Sequence, residues 1–365
     1  MEHEQFKLID LIEQICTEKG IRPKPMRVAR DIMNTKVKRL TLDHTVRDCL
    51  KLMEDSRVRH VPVVDLPYEG ERKPCFIGVV SQRDVLRLST SNAKESNEQQ
   101  IDQRALDQLL VNIVARNPRS VSTQTPIHEV ITTLIRNHID MVPVLDGSDL
   151  AGIITTTDLM ELFSELGKML YQLYPKSKRE ATAVYTASEN SAKTDILSSW
   201  AFRAVQDIMT ETVTCLGPHD NLAKAIEVLQ AKEIRHIIIT DEQGKFLGLV
   251  SDRDILRNLP YAGRRPPSAP KKFREHLFAA DSWTTNFLTP LENVMVRNVV
   301  HILPSLSICE TAGILYKKNI SCLPVIDEKE RLRGIITVID MMQALLTAYE
   351  PAGKAGLIQS ESSIC

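Results

Sequence analysis

Gly78-Val-Val-Ser81-Gln-Arg83-Asp84 is the stretch of sequence that decides the fold, because the chain contains its pattern four times. The pattern, called the signature below, is glycine, two aliphatic residues, serine or threonine, two variable residues and aspartate. The further copies are Gly152-Ile-Ile-Thr155-Thr-Thr-Asp158, Gly248-Leu-Val-Ser251-Asp-Arg253-Asp254 and Gly334-Ile-Ile-Thr337-Val-Ile-Asp340. Such recurrence is typical of proteins built from repeated supersecondary units.

Each signature follows a run of mostly β-branched residues that ends at an aspartate. The four runs are His60-Val-Pro-Val-Val-Asp65, Met141-Val-Pro-Val-Leu-Asp146, His236-Ile-Ile-Ile-Thr-Asp241 and Cys322-Leu-Pro-Val-Ile-Asp327. A polar turn separates each run from its glycine, so the pattern predicts a β-hairpin. In the first copy this turn is longer and predicts an extended loop at 66–76, whose role the sequence leaves open.

An amphipathic helix is predicted before each hairpin, because apolar residues recur there at helical spacing. The four stripes are Val46, Cys49, Leu50 and Met53; Ile127, Val130, Ile131 and Leu134; Leu222, Ala225, Ile226 and Leu229; and Ile308, Thr311, Ala312 and Leu315. A second helix follows each aspartate. A unit this small buries too little surface to be stable alone. We therefore predict an α/β (α+β) repeat fold, with four β-α-β-β-α units packed as two pseudo-symmetric pairs.

Short motifs and linkers complete the predicted organisation. A motif precedes three repeats as Asp31-Ile-Met33, Asp207-Ile-Met209 and Asn293-Val-Met295, and its degenerate version before the second repeat is Asn112-Ile-Val114. The predicted segments are an N-terminal helical extension at 1–28, repeat 1 at 29–90, a polar linker at 91–108, repeat 2 at 109–166, a connector at 167–203, repeat 3 at 204–260, a basic, proline-rich linker at 261–289, repeat 4 at 290–349 and a tail at 350–365.

The composition is close to that of soluble globular proteins, with 43% hydrophobic and 25% charged residues and a net charge of −1. This balance excludes a chain-wide basic field for nucleic acid. No apolar run approaches the roughly 20 residues that a membrane helix needs, and the polar start of the chain is unlike a signal peptide. Seven scattered cysteines without a CxxC pair argue against a disulfide framework. We therefore expect a reduced, cytoplasmic protein without membrane attachment.

Motifs for catalysis and metal binding are not visible in the sequence. It contains no GxSxG, Walker A, GxGxxG or HExxH motif and no Cys/His metal spacing. We therefore expect no enzymatic activity and no bound metal. A basic segment at 264–274 could contact nucleic acid, an acidic partner or lipid headgroups, but its irregular pattern favours a solvated linker. Its charges are Arg264, Arg265, Lys271, Lys272 and Arg274.

Four signatures in register, each with the same upstream helix and hairpin, resemble the cystathionine-β-synthase (CBS) domain proteins. The arrangement looks like two tandem pairs, each of the kind called a Bateman module. The Ser-x-Arg-Asp and Thr-x-x-Asp forms are similar to the regulatory module of IMP dehydrogenase, and the four-repeat layout is similar to the gamma subunit of AMP-activated protein kinase. The resemblance implies a cleft between paired sheets that binds an adenosyl ligand: AMP, ADP or ATP, with S-adenosylmethionine less favoured.

The resemblance also implies roles for individual residues. The ribose diol would be held by Asp84, Asp158, Asp254 and Asp340. Phosphate would be bound by Ser81, Thr155, Ser251 and Thr337, at helix N-termini whose unpaired N–H groups suit anions. Further phosphate contacts are predicted for Arg83, Arg253 and two Arg-His pairs, Arg59 with His60 and Arg235 with His236.

Structural alternatives to these roles remain open at this point. Serine or threonine followed three residues later by an acid is also a helix capping box. The arginines also fit solvated helix charges, and the histidines fit structural positions at strand edges. Both kinds of role can coexist at one residue.

The leading hypothesis is a regulatory adenine-nucleotide sensor that passes ligand occupancy to a partner protein and has no catalysis of its own. The alternative is a structural scaffold with degenerate, unoccupied sites. An enzyme, such as a nucleotide hydrolase, and a nucleic-acid-binding protein are weaker readings. The sequence leaves open the regulated partner, the number of occupied sites, and whether the pairs assemble within one chain or across a homodimer.

Overall fold

A computed structural model describes residues 8–18, 20, 26–65, 75–85, 106–173, 200, 203–258 and 287–349. Several predicted segments therefore lie wholly or mostly outside the described residues. They are the loop at 66–76, most of the polar linker at 91–108, most of the connector at 167–203, the basic segment at 264–274 and the tail at 350–365.

The helices and strands follow the predicted order along the chain. The α-helices are α1 (Leu8–Glu18), α2 (Ala29–Ile32), α3 (Val46–Ser56), α4 (Ile127–Arg136), α5 (Thr156–Leu173), α6 (Leu222–Ala231), α7 (Asp252–Asn258), α8 (Ile308–Lys318) and α9 (Val338–Tyr349). The strands are β1 (Leu40–Thr41), β2 (His60–Asp65), β3 (Cys75–Ser81), β4 (Ala115–Arg116), β5 (Val121–Ser122), β6 (Met141–Asp146), β7 (Asp149–Thr155), β8 (Cys215–Leu216), β9 (His236–Thr240), β10 (Phe246–Ser251), β11 (Cys322–Ile326) and β12 (Leu332–Thr337).

The predicted α/β (α+β) repeat is confirmed, with one local difference. In repeats 1 to 3 a short first strand pairs parallel with the second, and the second and third form an antiparallel hairpin. In repeat 4 the first strand is reduced to a single parallel bridge between Ile302 and Val325. Helix α3 begins at a Thr45 cap and α8 at a Ser307 cap, and each hydroxyl accepts the N–H three residues later.

At each signature glycine, a segment of the partner repeat crosses the third strand and packs directly against the glycine. A Cβ at Gly152 would lie 2.7 Å from the carbonyl oxygen of Asn34, with the Met33 side chain also in contact. The crossing is reciprocal within each pair, because the short motif before one repeat lies on the glycine of the other. The remaining contacts are Val114 and Ala115 on Gly78, Met295 and Val296 on Gly248, and Met209 and Thr210 on Gly334. Glycine is required here because any side chain would meet backbone atoms.

The two pairs pack together within this one chain. Repeats 2 and 4 share a hydrophobic core, in which α5 packs on α8 and α9 packs on α4. The Tyr316 hydroxyl donates to the Glu161 carboxylate at 2.7 Å, and Gly167 lies against Cys309. Repeats 1 and 3 have cores of their own, completed by residues 106–114 and 287–295 respectively. Assembly of the pairs therefore needs no second copy.

The N-terminal helix α1 belongs to the shared core of repeats 2 and 4. Its side chains Ile9, Ile12 and Cys16 are buried there. The Tyr349 hydroxyl, at the end of α9, donates to the Met26 carbonyl oxygen at 3.1 Å. The beginning of the chain is thus held against the last helix of repeat 4.

Candidate ligand-binding cleft

The four signatures adopt one geometry at the start of the helix that follows each hairpin. In repeat 1 the backbone N–H and the hydroxyl of Ser81 donate to Asp84 Oδ2 at 2.8 and 2.6 Å, and the Asp84 N–H points back to the Ser81 hydroxyl at 3.3 Å. The same three contacts, within a few tenths of an ångström, join Thr155 with Asp158, Ser251 with Asp254 and Thr337 with Asp340. Each pair therefore forms a capping box.

Burial affects the pKa of two signature carboxylates, Asp158 and Asp340. Burial raises the pKa of Asp158 and of Asp340 above the ordinary aspartate value, and the hydrogen bonds from Thr155 and Thr337 oppose this shift. Thr210, in the motif that crosses Gly334, also hydrogen-bonds Asp340 and lowers its pKa. These two carboxylates, in repeats 2 and 4, therefore lie in poorly solvated surroundings.

A second contact common to all repeats ties each signature to the start of its hairpin. The residue after the serine or threonine donates its N–H to the carbonyl oxygen of the residue immediately before the second strand. The pairs are Gln82 to Arg59, Thr156 to Asp140, Asp252 to Arg235 and Val338 to Ser321, at 2.9 to 3.1 Å. The side chains of these four acceptor residues consequently lie beside the signatures.

The acceptor residues of different pairs meet at the centre of the molecule. Arg59 of repeat 1 donates to the Ser321 hydroxyl of repeat 4 at 3.1 Å, and Ser321 lies 3.1 Å from His236 Nε2 of repeat 3. Arg235 of repeat 3 forms an ion pair with Asp140 of repeat 2. We call these five residues the central cluster. It links the two modules through polar contacts.

The predicted Arg-His pairs come together in and beside this cluster. Burial and, to a smaller extent, neighbouring guanidinium groups lower the pKa of His60 and of His236 to about 3, while Asp252 opposes the shift at His236, so both imidazoles are neutral at pH 7. Burial, Arg83 and Arg59 lower the pKa of Arg235 to about 9, while Asp252 raises it. Arg235 therefore remains charged at pH 7. The histidines can offer phosphate a hydrogen bond but not a positive charge.

A cleft of about 490 Å³ opens beside the repeat 1 signature. Its first wall is repeat 1, with Ser81, Arg83 and Asp84. Its other walls come from repeat 2 and from repeat 3 of the other module. The remaining lining residues are His60, Val79, Ala115, Pro118, Arg119, Asn137, His138, Ile139, Asp140, Met141, Leu229, Gln230, Glu233, Ile234, Arg235 and Asp252.

The structure distributes the predicted site residues between this cleft and other positions. The cleft contains five of them, namely Ser81, Arg83, Asp84, His60 and Arg235. Arg59 and His236 lie in the central cluster. The other predicted site residues are in equivalent positions of their own repeats and are not among the described lining of this cleft; they are Thr155, Asp158, Ser251, Arg253, Asp254, Thr337 and Asp340.

Sequence reasoning assigned no ligand role to Asp140, Asp252 and Arg119, which all line the cleft. A signal existed for Asp140, because it occupies in repeat 2 the position of Arg59 in repeat 1. Asp252 lies inside the repeat 3 signature as one of its variable residues. Arg119 belongs to no motif, and only the fold brings it to the cleft.

The described part of the chain shows neither a metal-binding group nor a helix that could span a membrane. Among those residues, no group of three or more His, Cys, Asp or Glu side chains could hold a metal ion. In the same ranges, no helix combines the length and the apolar character needed to cross a membrane.

Comparisons with known proteins agree with this architecture. The family model for the CBS domain matches residues 29–91, 110–165, 205–261 and 291–347. Protein MJ1225 of Methanocaldococcus jannaschii is 21% identical over 323 residues, which cover 87% of this chain and 98% of the relative. Its crystal structure, proposed as that of an archaeal homolog of g-AMPK, aligns with a TM-score of 0.64 at 18% identity and covers 87% of this chain and 99% of that one.

A shorter similarity connects one part of the chain with an enzyme. Inosine-5'-monophosphate dehydrogenase of Nitrosopumilus maritimus is 26% identical over 147 residues, which cover 40% of this chain and 25% of the enzyme. The resemblance inferred from the signatures is confirmed by these matches. Since the four matched segments cover more than half of its residues, this chain belongs to the CBS domain family and carries four CBS domains.

Proposed function

We propose that this protein is a regulatory sensor that binds an adenine nucleotide and reports its occupancy to a partner protein, without catalysis of its own. The observation that carries the proposal is the cleft in which the repeat 1 signature faces both repeat 2 and repeat 3. Its volume of about 490 Å³ lies within the range typical of small-molecule sites.

The groups in the cleft suit the parts of an adenosyl ligand. The Asp84 carboxylate can accept hydrogen bonds from a ribose diol. The Ser81 hydroxyl stands at a helix N-terminus, where backbone N–H groups and the helix dipole favour phosphate. Arg83 adds a guanidinium on the same wall. The CBS family, to which the chain belongs, supports the adenosyl assignment over other ligands of this size.

The position of the cleft between the two modules supports the proposed transmission of occupancy. Arg83 of repeat 1 donates to the carbonyl oxygen of Glu233 in repeat 3 at 3.5 Å, so groups that would touch the ligand also touch the other module. A ligand shifts an equilibrium between two arrangements by its difference in affinity for them. In this proposal the responding partner is another protein.

Thermal unfolding with AMP, ADP, ATP and S-adenosylmethionine tests the binding proposal. A ligand at about 100 times its dissociation constant adds about 2.7 kcal/mol to the free energy of unfolding. We expect an adenine nucleotide to raise the unfolding temperature of the wild type and to raise that of Asp84→Ala much less. The ligand-induced shift is compared within each variant, because Asp84→Ala also removes a helix cap. Absence of a shift with all four ligands contradicts the proposal.

A scaffold role is favoured for repeats 2 and 4 by one observation. Neither Asp158 nor Asp340 is in the described lining of the cleft, and burial raises the pKa of both carboxylates. We propose that these two signatures act mainly as helix caps. Asp158→Ala and Asp340→Ala should therefore keep the nucleotide-induced shift of the wild type. Loss of that shift in either variant would assign ligand binding to its repeat.

A further inference from the structure

One buried ion pair in the cleft connects the two modules. Arg235 belongs to repeat 3 and Asp140 to repeat 2, and their side chains are only 14% and 10% exposed. Both residues line the cleft beside the repeat 1 signature. Removing one partner from such a pair leaves an uncompensated buried charge, which is costly.

The described lining of the cleft has more acid than base. Its guanidinium groups are Arg83, Arg119 and Arg235, and its carboxylates are Asp84, Asp140, Glu233 and Asp252. The histidine His60 adds no charge at pH 7, because burial lowers its pKa to about 3. Within the part of the chain that the structure describes, the cleft therefore offers little net positive charge to a polyphosphate.

We propose that Asp140 sets the charge selectivity of this cleft, so that it binds a nucleoside monophosphate in preference to the triphosphate. The inference rests on the proposed function and names the ligand class of the same site. Asp140 holds Arg235 in a pair and so withdraws that guanidinium from phosphate. Its own carboxylate also repels additional phosphate charge.

The charge of a monophosphate can be balanced without breaking the ion pair between Arg235 and Asp140. A single phosphate carries about 1.5 to 2 negative charges at pH 7, and the helix N-terminus at Ser81 with Arg83 can meet them. Each further phosphate adds negative charge to a cleft whose lining already includes the Asp140 and Asp252 carboxylates. Recruiting Arg235 to those phosphates would leave Asp140 buried and unpaired.

Removal of the Asp140 charge should therefore benefit the triphosphate most. We expect Asp140→Asn to tighten ATP binding about tenfold, the size of one charge-assisted hydrogen bond, and to change AMP binding by less than about threefold. Asp140→Glu keeps the charge and should keep the preference for AMP. Asp146 is exposed and lies at the end of β6 that is farther from Asp140. Asp146→Asn is therefore the control for the change in net charge.

The experiment is a calorimetric titration of AMP and ATP into the wild type and these variants, with ligand-free thermal unfolding as the check on folding. In the double variant Asp140→Asn/Arg235→Gln, the Arg235 guanidinium that Asp140→Asn would free for phosphate is absent. The double variant should therefore lose the gain in ATP affinity expected for Asp140→Asn. The ratio of the two dissociation constants is the readout, because a purely structural defect weakens both ligands alike.

Several results would overturn the inference while the proposed function stands. One is that the wild type binds ATP as tightly as AMP. Another is that Asp140→Asn leaves the ratio of the AMP and ATP dissociation constants unchanged. A third is that Asp146→Asn changes this ratio as much as Asp140→Asn does. If the wild type binds no adenine nucleotide, the proposed function itself fails and this inference fails with it.

Discussion

Asp84, the signature aspartate that faces the cleft, caps its own helix before any ligand is bound. Its Oδ2 atom accepts the N–H and the hydroxyl of Ser81. The same contacts hold the carboxylates of the other repeats, so the capping interpretation and the ligand interpretation describe one geometry. A ribose diol would find this carboxylate already oriented, which reduces the ordering cost of binding.

The two buried, neutral histidines His60 and His236 predict a pH dependence of stability. Because burial lowers the pKa of His60 to about 3 in the folded state, its stabilising contribution is complete above the unfolded value near 6.5 and is lost as pH falls toward 3. Between pH 7 and pH 5 we expect the wild type to lose about 1–2 kcal/mol more unfolding free energy than His60→Gln.

Urea denaturation at a series of pH values between 5 and 7.5 measures this difference. His219→Gln is the matched control for the loss of a histidine, because the His219 side chain is 85% exposed. Parallel profiles for His60→Gln and the wild type would show that His60 is not held neutral by its surroundings.

At the scale of elements, the crossing of one repeat over the glycine of its partner fixes each pair. The carbonyl oxygen of Asn34 accepts the Ile153 N–H at 3.0 Å, and the Asn34 N–H donates to the Ile153 carbonyl at 2.8 Å. This two-way bridge needs Gly152 beside it, where a Cβ would lie 2.7 Å from backbone oxygen. Pairing of the repeats therefore depends on the absence of one side chain.

Gly152→Ala should consequently destabilise the protein by about 1–3 kcal/mol, the range for overpacking, because the crossing backbone has to move. Gly217→Ala is the control, since its Cβ would meet only a carboxylate oxygen at 3.6 Å, an ordinary contact. Chemical denaturation of both variants measures the difference. Equal stability of the two variants would show that the crossing tolerates a side chain.

The elements themselves were largely predictable, because their signals are local. The stripe of Val130, Ile131 and Leu134 predicted helix α4, and all three side chains are buried as expected. The exception is the first strand of repeat 4, which is too short to leave a pattern. The crossing of Met33 over Gly152 was not predictable, since the motif is far from that glycine in sequence and helical or strand periodicity carries no information about such contacts.

At the scale of the whole molecule, the modules are joined by two kinds of contact. Repeats 2 and 4 share an apolar core, whereas the central cluster links repeat 1 with repeat 4 and repeat 2 with repeat 3 through polar side chains. The sequence predicted the basic members of this cluster as phosphate contacts. It could not predict that Asp140 would meet Arg235, because that pair depends on how the modules pack.

The central claim is that an adenine nucleotide binds in the cleft that both modules line. Calorimetric titration of AMP into the wild type, Asp84→Ala and the exposed-site control Asp146→Ala tests this claim most directly. We predict saturable AMP binding with the same dissociation constant for the wild type and Asp146→Ala. Asp84→Ala lacks the ribose contact and should bind AMP at least tenfold more weakly. Equal binding by all three proteins, or binding by none, would contradict the account.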